Sequence, residues 1–134
     1  MMTARVIRRN DSLEISLAFS DSRLVDIEFA LLSVLQEKRW DYVRTDVNLD
    51  HARYKLESNG VFLASIHITH GLEPPTRVLI ANRPPDGGPA ATYMRSTASL
   101  GEALLKECAL RGLATERAVA SALAEIEKHA NAVA

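Results

Sequence analysis

The chain has 134 residues, of which 47% are hydrophobic and 25% charged, enough to bury a real core within one domain. Its net charge of -1 is spread evenly, about -2 before His51, +2 from His51 to Arg95 and -1 beyond, so composition offers no strong field for nucleic acid or a membrane surface. One cysteine, Cys108, excludes an internal disulfide, and no run of eighteen apolar residues or signal-peptide pattern is visible, so we expect a cytoplasmic protein. Twelve arginines against four lysines, with abundant alanine, suit a GC-rich bacterial genome.

Arg5 to Arg9 and Leu13 to Phe19 read as two strands joined by the turn-forming Asn10, Asp11 and Ser12. In the second, Leu13, Ile15, Leu17 and Phe19 alternate with Glu14, Ser16 and Ala18, which gives one apolar face. Ser20 or Asp21 is placed to cap a helix from about Ser22 to Arg39. Its solvent stripe is Ser22, Asp26, Ala30, Ser33 and Glu37, and Leu24, Ile27, Leu31, Leu32, Val34 and Leu35 fill most of the remainder.

Trp40 to Val47 predicts a third strand, and Ala52 to Thr69 a hairpin around Ser58, Asn59 and Gly60. A two-residue turn would pair Leu56 with Leu63 and Glu57 with Phe62, mixing apolar and charged faces. A three-residue loop with a bulge at Gly60 removes the conflict, setting Leu56 opposite Phe62, Tyr54 opposite Ala64 and Ala52 opposite Ile66. Thr76 to Asn82 supplies a further strand. The run from Arg83 to Pro89 cannot continue a strand or helix and marks the end of the sheet. Ser99 with Glu102 predicts a capping box for a helix to about Arg111, Gly112 ends it, and Thr115 caps a last helix to about Asn131.

The expected fold is therefore a single two-layer α+β domain of order β-β-α-β-β-β-β-α-α, with a mainly antiparallel sheet and helices packed on one face. Its sheet-forming part spans about 4–82, a connector about 83–95, and the helical part about 97–131.

Chemistry-bearing patterns are sparse. Asp46, Asn48, Asp50 and Glu57 resemble the spacing of a calcium-binding helix-loop-helix (EF-hand) loop, but His51 stands where the sharp turn needs glycine and the segment leads into a strand. We read it as a polar strand end and turn. The chosen register puts His51 opposite His67, two of the ligands a metal site would need and no more, and no cofactor is expected. Glu28 falls among Leu24, Leu32 and Leu35, so it must find a partner or stay protonated; we expect an ion pair to an arginine such as Arg44 or an escape past the helix edge, ahead of a catalytic acid or base. Phe29 falls near the polar stripe, where it would serve either to anchor a partner or to pack under a loop. Cys108 lies on an apolar stripe and reads as core.

The leading expectation is a non-enzymatic protein-interaction domain that uses a mixed outer sheet face, its partner another protein or a second copy in a homodimer. Arg53, Lys55, Val61 and Leu63 would contribute there, with Phe29 as a further partner contact. One alternative is a ligand-binding protein or enzyme with a pocket near Glu28 and Tyr54. The other is nucleic-acid binding through the C-terminal helix pair, which ranks last because Glu116 and Glu125 oppose Arg117 and Lys128 there.

Overall fold

In the computed structural model, which describes residues 2–10, 12–47, 51–58, 61–70, 75–82 and 90–131, the elements follow the expected order. They are β1 (Met2–Arg8), β2 (Leu13–Phe19), α1 (Leu24–Lys38), β3 (Asp41–Val47), β4 (His51–Ser58), β5 (Val61–His70), β6 (Thr76–Ala81), α2 (Ala90–Leu110) and α3 (Glu116–Asn131). Six strands form one antiparallel sheet in the order β1-β2-β6-β5-β4-β3, an α+β fold with the helices on one face.

Alternation decides the inside face. Leu13, Ile15, Leu17 and Phe19 of β2, Val78 and Ile80 of β6, Ala64, Ile66 and Ile68 of β5, and Ala52, Tyr54 and Leu56 of β4 are all buried. Against them pack Ile27, Leu31, Val34 and Leu35 of α1, Leu100, Leu104, Leu105 and Cys108 of α2, and Val119, Ala122 and Ile126 of α3. Helix α2 comes closest at Gly101, where an added Cβ would lie 2.6 Å from the end of Ile15, so the absent side chain lets helix and sheet approach.

β6 is the last strand in the chain yet lies between β2 and β5, joining the first hairpin to the β3-β4-β5 meander. Buried side-chain hydrogen bonds hold both of its ends. The Thr76 hydroxyl donates to the Ser22 carbonyl at 2.6 Å, and the Leu13 amide donates to Asn82 Oδ1 at 2.9 Å.

Several boundaries and registers differ from expectation. Helix α2 begins at Ala90, so the connector ends before 90 rather than at 95 and the helical part starts earlier than 97; Ser99 and Glu102 sit inside the helix. The sequence signal misled because Tyr93, Met94, Thr97 and Ala98 are buried, and burial of those side chains carries the helix back past the local cap. Helix α1 is capped by Arg23, whose backbone amide meets the Asp26 carboxylate at 3.4 Å, not by Ser20 or Asp21. Ala30, expected on the solvent stripe, is fully buried, because α2 packs along that side of α1. Arg111 reaches Ser33 Oγ and Lys38 reaches Ser99 Oγ, each at 2.8 Å, and these contacts fix the two helices antiparallel.

In the β4-β5 hairpin the faces are as expected but the register is displaced by two residues. Tyr54 pairs with Ile66, Ala52 with Ile68 and Leu56 with Ala64. Nearer the tip Glu57 pairs with Phe62 and Ser58 with Val61, so the ladder skips Leu63. The pairing of Ser58 with Val61 leaves two residues between the strands, not the expected three-residue loop, and the extra residue that restores the inside face is Leu63, a bulge within β5 three residues past Gly60. Residues 59–60 lie outside the described residues, as do Asn48 and Asp50 of the acidic run.

Replacing Asn82 by Ala removes the acceptor for the fully buried Leu13 amide. Denaturant unfolding of N82A should show a loss of about 1–3 kcal/mol, with Asn82→Asp retaining part of it.

Candidate functional site

Along one inner row the sheet changes character. Val6, Ile15, Ile80 and Ile66 lead strand by strand to Tyr54 on β4 and Arg44 on β3. Here, at the β3 edge of the sheet, α1 supplies Glu28. The Tyr54 hydroxyl donates to Glu28 Oε1 at 2.6 Å, and Arg44 Nε lies 3.2 Å from the same oxygen. The structure therefore brings together Glu28 and Tyr54, the two expected ligand residues, and gives Glu28 the arginine partner that its place on the helix requires.

The cluster is only partly closed. The side chains of Glu28 and Arg44 retain 17% and 31% of their exposure, and Arg44 Nε, although beside a carboxylate oxygen, makes no hydrogen bond. Charge attraction holds it without the alignment that a hydrogen bond needs. Next to Arg44 the β3 ladder skips Thr45, a bulge that passes Asp46 to Arg53. The Tyr42 ring, half exposed, stands 6.0 Å from the Tyr54 ring. Burial first, and the Glu28 carboxylate second, push the Tyr54 hydroxyl well above its ordinary value of 10.0, so it remains a proton donor.

The expected partner-binding residues do not form one surface. Arg53 and Lys55 are exposed on the outer face of the sheet, whereas Phe29 is 58% exposed on α1, in the helix layer. The side chains of Val61 and Leu63 lie outside the described residues. The outer face also exposes Leu79 at its centre and Val43 toward the β3 edge. Sequence reasoning passed over both because each alternates correctly within its strand; they are accessible because no described element covers the outer face.

His51 pairs with Thr69, and Arg53 rather than His51 pairs with His67, a consequence of the two-residue displacement. The imidazoles nonetheless meet edge to face across the diagonal, 5.8 Å between centroids. Among the described residues no group of three or more His, Cys, Asp or Glu is arranged to hold a metal ion. Glu57, the last position of the calcium-like spacing, pairs with Asp41, at the opposite end of β4 from the Asp46-Arg53 pair.

Two clefts lie elsewhere. One of about 650 Å³ runs between β1 and α3, lined by Met2, Thr3, Ala4, Arg117, Ser121 and Glu125 among others. A smaller one of about 280 Å³ lies between the start of α1 and the α2-α3 turn, with Asp21, Asp26 and Leu113 in its wall. The α2-α3 pair, the candidate nucleic-acid reader, is a helical hairpin with α3 laid against β1. No described helix is long and apolar enough to cross a membrane. No protein-family model, curated protein or solved structure matches this chain.

Replacing Tyr54 by Phe removes a hydrogen bond to a charged acceptor, a loss of about 1.5–3 kcal/mol by denaturant titration. An unfolded tyrosine titrates near 10.0 while folded Tyr54 keeps its proton to higher pH. This contribution is thus fully present below pH 10.0 and declines above it, so wild type should lose stability more steeply than Tyr54→Phe between pH 10 and 11.5. Burial, assisted by Glu107, pushes the Cys108 thiol up to about 12, so native protein at pH 8 should resist thiol reagents that label the unfolded chain at once.

Proposed function

We propose that the chain is a cytoplasmic bacterial protein-interaction domain that presents the outer face of its sheet to a protein partner. The observation that carries this reading is the placement of all three helices on one face. Six strands, about 4.8 Å apart and about 20 Å long, then offer on the order of 600 Å² of sheet that no described element covers. That approaches the roughly 800 Å² per partner of a standard interface.

The chemistry of the face supports the reading. One row across it is Arg5, Ser16, Leu79, His67 and Arg53; the next is Ile7, Glu14, Ala81, Ser65, Lys55 and Val43. Small side chains at Ser16, Ala18, Ala81 and Ser65 leave a low centre around Leu79, which is 40% exposed, and Arg5, Arg53, Lys55 and Arg77 stand about it. An apolar centre with a charged rim is the usual anatomy of a non-obligate interface. A second copy of the chain fits a face of this kind as well as a different protein does.

The Glu28, Tyr54 and Arg44 cluster supports a second reading, a ligand site at the sheet edge. Its specific support is the convergence of three polar groups beside a bulge and a half-exposed tyrosine.

Leu79→Glu places a charge at the centre of the outer face without touching the core. In light scattering across concentration and in affinity capture, wild type should show self-association or a retained protein that L79E loses, with thermal stability little changed. A wild type that stays monomeric and retains the same proteins as L79E would sink the interaction reading. A rise in melting temperature with a small carboxylate or other metabolite, abolished in Arg44→Met, would put the ligand reading in its place.

A further inference from the structure

We propose that the cleft between α3 and the outer edge of β1 docks an extended peptide, which adds to the sheet as a seventh strand. Among the described residues β1 pairs with β2 alone, so one side of Met2–Arg8 presents backbone amides and carbonyls with no neighbouring strand. An edge of this kind is a template for strand addition.

The cleft lies along that edge. Its floor takes three consecutive residues of β1, Met2, Thr3 and Ala4, whose side chains point to both faces of the sheet, so the opening is at the strand's side. Its roof is one flank of α3. Val119 and Ile126 turn inward to the core, while Arg117, Ser121 and Glu125 follow one another at four-residue spacing along the flank that overhangs β1. Ala118 and Ala122 line the space between, so on the α3 side no bulky described side chain fills it. The resulting volume of about 650 Å³ is within the range of pockets that hold a ligand, and the β1 wall contributes only small or uncharged side chains.

Charge specifies the occupant. Arg117 and Glu125 are eight residues apart on α3, about 12 Å along the helix axis. A peptide that runs beneath α3 along the helix axis covers about 13 Å in four residues and returns a side chain to the same face. The matching peptide carries an acidic residue to meet Arg117 and a basic one to meet Glu125, four positions apart. Between them, under Ser121, it carries a small apolar residue. The Glu125 carboxylate is 3.5 Å from His129 Nδ1, so the peptide cation joins an existing contact. The β1 edge of a second copy fits less well, because Met2–Arg8 carries no carboxylate to meet Arg117. The proposal does not rest on the outer face of the sheet, which Leu79→Glu tests without altering β1 or α3.

The test is selection from a displayed library of random twelve-residue peptides on the full chain. Enriched peptides should share opposite charges four positions apart around a small apolar residue and slow amide exchange in residues 2–8. They should lose at least about tenfold in affinity on Ser121→Trp, which fills the cleft from an exposed position. N-methylation of alternate peptide amides should abolish binding, and the exchange Arg117→Glu with Glu125→Arg should enrich the reversed charge order even if S121W folds poorly. The proposal is overturned by failure to enrich any peptide, by enriched peptides that bind S121W equally or leave residues 2–8 unprotected, or by a wild-type dimer that S121W converts to monomer.

Discussion

Insertion of β6 between β2 and β5 is the constraint on which the rest of the molecule depends. Without it the β1-β2 hairpin and the β3-β4-β5 meander would be two small sheets, each too narrow to bury a helix layer. With it, Leu17, Val78 and Ile68 fall into one row, and Ile15, Ile80 and Ile66 into the next. The pinning groups are polar and buried. Thr76 anchors the entry of β6 to Ser22, two residues before α1, and Asn82 anchors its exit to the start of β2. A slip of β6 by one residue would break both bonds and turn Val78 and Ile80 outward, so register and core are specified together.

Placing β6 there also decides where the polar cluster lies. Helix α2 packs over β2, β6 and β5, and α3 over β1, which leaves the β3-β4 edge to α1. As cover thins toward that edge, the inner row passes from isoleucine to Tyr54 and then Arg44. Glu28 is tolerated at the rim of the core because a hydroxyl and a guanidinium meet the same carboxylate oxygen. Charge and hydroxyl collect where the apolar cover ends, a pattern that serves stability and leaves groups within reach of solvent.

A one-sided helix layer has two further consequences. Among the described residues it leaves no element covering the far face of the six strands, where small residues keep the surface low around Leu79. It also sets α3 at the margin of the sheet, where one flank has no strand beneath it and the cleft beside β1 opens. Both the outer face and the cleft arise from having three helices for a sheet six strands wide.

Much of the architecture was legible because strand alternation is local. Leu13 to Phe19, Ala52 to Leu56 and Thr76 to Ala81 each declare an inside face, and the Thr115 cap and the Gly112 turn behave as their chemistry demands. The amphipathic position of Glu28 likewise foretold its need for a partner, and Arg44 provides it. Pairing and coverage were not legible in the same way. The place of β6, the shorter turn and skipped Leu63 that together displace the hairpin by two residues, and the extension of α2 back to Ala90 all depend on pairing and packing that no local pattern declares. The sequence by itself thus determined the elements and their inside faces, since a side chain's direction in a strand or helix repeats with the backbone. Only the tertiary structure decided which faces and edges stay uncovered, since that depends on where the helices lie rather than on what each strand contains.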